Sequence, residues 1–70
     1  MQKMLLISSF EDDLNDAVRW LHANRSLADL GEISKRGDYF ICPIRTKKSL
    51  SDIASLLNLK FKRFVQVKKL

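Results

Sequence analysis

Shifted by 36 residues, the chain repeats itself. Asp13-Leu14-Asn15-Asp16-Ala17-Val18-Arg19-Trp20-Leu21 falls on Ser49-Leu50-Ser51-Asp52-Ile53-Ala54-Ser55-Leu56-Leu57, and a short apolar run precedes each block. Within each block apolar residues recur at i, i+3, i+4 and i+7: Leu14, Ala17, Val18 and Leu21 in the first, Leu50, Ile53, Ala54 and Leu57 in the second. That spacing makes one buried stripe of a helix. Two copies of strand-then-helix predict a duplicated βαβ unit, and they leave little room for any other plan.

The segments between the blocks complete that plan. Residues 3–9 predict a strand that is apolar on both faces, Met4 and Leu6 on one and Leu5 and Ile7 on the other, as a central strand requires. Glu11, Asp12 and Asp13 put negative charge where a first helical turn has unpaired N–H groups, Trp20 flanks the apolar stripe, and Asn24 and Arg25 suit the helix end. Asp29 to Lys35 reads as an edge strand weakened by Gly31, followed by a Lys35-Arg36-Gly37-Asp38 turn. Tyr39 to Ile44 is a second apolar strand in which Pro43, lacking an N–H, belongs at an end or a bulge. Ser49 with Asp52 resembles a capping box, Asn58 is the expected end of the second helix, and Phe61 to Leu70 reads as a last strand. There Arg63, Val65, Val67 and Lys69 share one face, with Lys62, Phe64, Gln66 and Lys68 on the other. The order β-α-β-β-α-β, repeated about a pseudo-twofold, predicts an α+β ferredoxin-like sandwich: a four-stranded antiparallel sheet, both helices on one side, the other side open.

Seventy residues make a single domain with a small core, for which dimerisation is an expected support. Cys42 has no partner for an intrachain disulfide; a lone thiol in an apolar run reads as a buried hydrophobe of a reducing compartment, so the cytoplasm is expected. The apolar run at Met4 to Ile7 is stopped by Glu11 to Asp13, too early for a signal peptide or a membrane span.

Charge is uneven along the chain. Residues 1–35 carry four basic and six acidic side chains, residues 36–70 nine basic and two acidic, so the halves stand at −2 and +7 and the whole at +5. A basic half of this kind points to a polyanion, because lysines and arginines that neutralise phosphates release condensed counterions.

Catalytic patterns are sparse. His22 is the single histidine and Cys42 the single cysteine, so neither a histidine–cysteine metal set nor a nucleophile with its base is spelled out, and each reads as an ordinary surface or packed residue. Gly31 and Gly37 are the only glycines, which leaves no phosphate-cradling loop. Glu11, Asp12 and Asp13 are the one cluster able to hold a divalent cation, and the helix dipole already accounts for them. No cofactor is implied.

Two resemblances lie in these residues. Arg36-Gly37-Asp38-Tyr39-Phe40-Ile41 resembles the ribonucleoprotein signature of RNA recognition motif domains, with Arg36, Gly37, Phe40 and Ile41 matching; Asp38 and Leu6 stand where that family carries stacking aromatics. In length, element order and early apolar strand, the whole chain resembles small ferredoxin-like proteins that include CRISPR-associated endoribonucleases and toxin–antitoxin components. That resemblance implies a homodimer and, in active members, a metal-binding aspartate at the end of the first strand. Here Ser8-Ser9-Phe10 occupy that place, which implies a binding-only relative.

The sequence therefore predicts a non-enzymatic module for nucleic acid or a nucleic-acid-handling protein. Arg36, Lys47, Lys48, Lys60, Lys62, Arg63, Lys68 and Lys69 are the expected phosphate contacts, and Phe40 and Phe64 the expected aromatics of the open face. The alternatives are a protein-interaction module of the phage-inhibitor or antitoxin kind and a metal-dependent ribonuclease built on Glu11 to Asp13.

Overall fold

The computed structural model describes residues 1–62 and 64–70. Two helices pack on one side of an antiparallel sheet in an α+β arrangement. In chain order the elements are β1 (Gln2–Ser8), α1 (Glu11–Ala23), β2 (Asp29–Leu30), β3 (Ser34–Arg36), β4 (Tyr39–Thr46), α2 (Leu50–Lys60) and β5 (Gln66–Lys69). Across the sheet the order is β2-β4-β1-β5, and β3 also pairs with β4. The two apolar runs become the central pair: β1 and β4 are matched from Gln2 opposite Thr46 to Ser8 opposite Phe40.

The expected edge strand at 29–35 is broken in two, and the register shows why. Leu30 faces Ile44 and Ser34 faces Ile41, so residues 31–33 stand opposite only Cys42 and Pro43. One extra residue on the edge makes a β-bulge. It forms where Pro43 has no N–H to give: the Gly31 N–H donates to the Pro43 carbonyl at 2.7 Å, and nothing returns from the proline nitrogen. A Cβ on Gly31 would lie 2.7 Å from Pro43 Cγ, so that close approach requires glycine. Beyond the bulge, Gly37 with φ 61 begins the two-residue hairpin between Arg36 and Tyr39.

Helix α1 buries the expected stripe of Leu14, Ala17, Val18 and Leu21. It ends at Asn24, followed by Arg25 in the left-handed region with φ 57. Ser49 caps α2 by accepting the Asp52 N–H at 3.1 Å. This helix runs past Asn58 to Lys60, because Phe61 seats its ring edge-on against Trp20, 5.8 Å between centroids, and its N–H closes on the Leu57 carbonyl. The last strand is shortened accordingly. Lys62, with φ 53, turns the chain out of the helix, Val65 plugs the core, and pairing with β1 begins only at Gln66.

Met4, Leu6, Cys42, Ile44 and Val65 meet the helical stripes and Ile53 and Leu57 in one apolar core. At each end of the central pair a hydroxyl closes the sheet. Ser8, last residue of β1, donates to the Phe64 carbonyl at 2.6 Å and accepts the Phe10 N–H. Thr46, last residue of β4, donates to the Ser26 carbonyl at 2.7 Å and accepts the Lys48 N–H. Ser8, Phe10 and Phe64 at one end thus make the same arrangement as Thr46, Lys48 and Ser26 at the other, a symmetry the 36-residue sequence repeat does not register.

Candidate functional site

Strand alternation sends Met4, Leu6 and Ser8 of β1 under the helices and Lys3, Leu5 and Ile7 to the opposite face. On β4 the residues of that second face are Tyr39, Ile41, Pro43 and Arg45. Register then fixes the neighbours. Lys3 lies directly beside Arg45, and Asp29 on its far side; Leu5 lies between Pro43 and Lys68; Ile7 lies between Ile41 and Gln66; Arg36 pairs with Tyr39 at the hairpin. The result is a half-buried apolar strip of Leu5, Ile7 and Ile41 framed by Lys3, Arg36, Arg45 and Lys68. Among the strand residues of this face Asp29 is the one acid. Two cations set directly opposite each other, as Lys3 and Arg45 are, repel unless an anion joins them. Beside them a cavity of about 240 Å³ opens between Lys3, Asp29, Gly31, Pro43, Arg45 and Leu70.

The structure scatters the expected site residues. Arg36 and Lys68 belong to the open face. Phe40 does not: it pairs with buried Ser8, packs against the core, and carries Lys35 Nζ 5.9 Å from its ring centroid. The odd–even alternation of β4 reserves the open face for Tyr39 and Ile41. Phe64 precedes β5 instead of lying in it, 56% exposed, with its ring edge-on to Phe10 at 5.9 Å. Lys69 is matched with Met4, on the helical side of the sheet. Lys62 lines a groove with Ala54, Leu57 and Val65, so the expected pairing of Lys62 with Lys68 on one face fails; the turn at Lys62 breaks the alternation on which it rested. Lys60 lies over the Trp20 ring, 5.4 Å from its centroid. Lys47 and Lys48 sit in the β4–α2 loop beside Arg25. Arg63 lies outside the described residues.

Sequence reasoning left out Lys3, Arg45, Tyr39 and Arg25. The first three were within reach of alternation: a face that holds Leu5 and Ile7 also holds Lys3, and one that holds Ile41 holds Tyr39 and, once the strand continues through Thr46, Arg45. Arg25 carried no comparable signal, since its neighbourhood depends on the Thr46 clamp.

Glu11, Asp12 and Asp13 occupy the first turn of α1. Among the described residues, no three His, Cys, Asp or Glu side chains are grouped to hold a metal ion. His22 is exposed near the end of α1. Cys42 is buried, its thiol 3.4 Å from the Gly31 carbonyl, and burial pushes its pKa up, away from thiolate chemistry. Among the described residues no helix is long and apolar enough to cross a membrane. No family model matches the chain, and neither the curated proteins nor the solved structures yield a match.

Proposed function

We propose that this chain is a ferredoxin-like binding module, non-enzymatic, whose open sheet face takes the sugar–phosphate backbone of nucleic acid. The fold reading rests on β2 and β3 acting as one interrupted edge strand, which leaves the order β-α-β-β-α-β about two central strands. The observation that carries the functional reading is the open face itself: among its strand residues four cations to one acid, set around an apolar strip, with Tyr39 54% exposed at one end. Cations of this kind bind backbone without reading bases, and an exposed ring beside them offers a stacking platform. A binding-only relative of the small ferredoxin-like endoribonucleases fits this reading. Ser8 stands at the end of β1 where active members carry an aspartate, and its hydroxyl is already engaged with Phe64 and Phe10. The lone buried Cys42 suits a reducing compartment such as the cytoplasm.

The half-exposed strip of Leu5, Ile7 and Ile41 favours a second reading, a protein partner on the same face. A homodimer belongs with it, with Phe10, Phe64 and the exposed Leu59 as further apolar surface.

Fluorescence anisotropy with labelled single-stranded RNA and DNA separates the readings. For nucleic-acid binding, log K falls with log salt, and the triple variant Lys3→Gln, Arg45→Gln, Lys68→Gln binds all sequences more weakly, its slope reduced by about 0.7 per lost contact on a single strand. An unchanged slope in the triple variant overturns it in favour of the protein-binding reading. Sedimentation of a clean monomer at high micromolar concentration removes the homodimer.

A further inference from the structure

A second positive region lies away from the open face, where the α1–β2 and β4–α2 loops meet. They enclose a cleft of about 480 Å³ whose lining includes Met1, Arg25, Ser26, Leu27, Lys47 and Lys48, with no acidic side chain among its described lining residues. The loops are held together by Thr46, fully buried, which gives its hydroxyl proton to the Ser26 carbonyl and takes the Lys48 N–H. Both lysines and Arg25 are exposed, so their charges remain accessible, and Arg25 holds the left-handed backbone that glycine or asparagine would adopt at less cost.

The other end of the sheet shows that the clamp itself does not call for cations. There Ser8 makes the same two hydrogen bonds, and the positions equivalent to Lys48 and Ser26 are Phe10 and Phe64, whose rings pack together. The backbone device is common to both ends; among the described residues, a cleft lined by three cations, Arg25, Lys47 and Lys48, is found at one of them. Three cations drawn together by a buried hydroxyl repel one another, and a compact multivalent anion relieves that repulsion.

We propose that this cleft binds a phosphoryl group. Lys47 and Lys48 supply ammonium donors, Arg25 a guanidinium that matches two phosphate oxygens, and Thr46 is a positioning residue that fixes the two loops. The site uses none of Lys3, Arg36, Arg45 or Lys68, so it stands or falls separately from the open-face reading. The phosphoryl group has two sources, the terminal phosphate of a nucleic-acid strand or free pyrophosphate.

The test is a titration of the intact protein with pyrophosphate at constant ionic strength, followed by backbone amide shifts. Saturable shifts confined to residues 25–28 and 46–48 are expected, about tenfold weaker in Lys47→Gln/Lys48→Gln and unchanged in Lys3→Gln/Lys68→Gln. Thr46→Ser, which keeps the hydroxyl, retains the binding that Thr46→Val loses. In a second arm a 5′-phosphorylated oligonucleotide is compared with its unphosphorylated form. A several-fold preference that vanishes in Lys47→Gln/Lys48→Gln identifies a strand end as the source; saturable pyrophosphate binding without such a preference identifies free phosphate. Shifts that never saturate in the first arm together with no preference in the second, or binding equally strong in Lys47→Gln/Lys48→Gln, overturn the proposal.

Discussion

Met4, Leu6, Cys42 and Ile44 on one face of the central strands are at most 2% exposed, whereas Leu5, Ile7 and Ile41 on the other are only half-buried. The residue types are alike. What differs is the frame. On the covered face the helices lay leucine, isoleucine, valine and alanine over the strands, and Lys69 opposite Met4 is the one cation matched to these residues; on the open face no helix covers the strip, and Lys3, Arg36, Arg45 and Lys68 frame it. An apolar strip inside a cationic rim neither belongs to the folding core nor resembles a plain solvated face, and that mismatch is what supports the proposed binding role of this face.

Truncation separates the two faces most sharply. Leu6→Ala leaves a hole in a core that two short helices cannot collapse to fill, and is expected to lower stability by about 2–5 kcal/mol in urea unfolding. Leu5→Ala, one residue away on the open face, is expected to lower it by about 1 kcal/mol or less, since the side chain gives up only part of its exposure on folding. Equal losses would mean that the open face is covered in solution, which sedimentation of the same samples would show as self-association.

Smaller losses are expected at the hydroxyls that close the two ends of the sheet. Thr46→Val keeps the shape but strands a buried Ser26 carbonyl and the Lys48 N–H, at a cost of about 1–3 kcal/mol. Ser8→Ala breaks a pair of bonds nearer solvent, and about 0.5–1.5 kcal/mol is expected. A larger loss at Ser8 than at Thr46 would reverse the ranking that burial gives.

These contrasts show what the sequence could and could not convey. The helical stripes, the two central strands, the Ser49 cap and the bulge-prone Pro43 were all legible, because each rests on local periodicity or on a backbone rule that neighbours do not override. The end of α2 was not, because Phe61 finds Trp20, a residue 41 positions away, and that contact carries the helix beyond Asn58 and delays the last strand. The site suffered for the same reason. Alternation from buried Cys42 puts Phe40 with the core and not on the open face, and Lys62 makes the turn before β5 and is not a strand residue. The described basic residues of the C-terminal half do not share one surface: the fold divides them among both faces, the helix layer and a loop.

Cys42 gives a comparison in pH. Burial raises its pKa in the folded state, so as pH climbs the unfolded chain releases its thiol proton first. Cys42 therefore leaves stability undiminished below about pH 8.5 and erodes it as pH rises from there toward the folded thiol's higher value. Cys42→Ala is expected to flatten that alkaline decline relative to the native chain, whatever its effect at neutral pH. The same thiol should resist iodoacetamide until the protein unfolds, while a cysteine introduced as Leu5→Cys in the Cys42→Ala chain should react far faster. Rapid labelling of Cys42 in the native protein would place it outside the core.

The smallest effect concerns the rim itself. Lys3 and Arg45 are direct cross-strand partners of like charge, so Lys3→Gln is expected to stabilise the protein slightly, by roughly a few tenths of a kcal/mol at low salt. The gain should fade as salt screens the pair, because both side chains are exposed. Urea unfolding of both chains across a salt series measures it. A loss in place of a gain, unchanged by salt, would show that the aliphatic stem of Lys3 packs beside Pro43 and Leu70 strongly enough to outweigh the repulsion. In that case the cation is held there by packing, and the opposed pair ceases to be an argument for an anionic ligand; the charge excess of the rim would have to carry it alone.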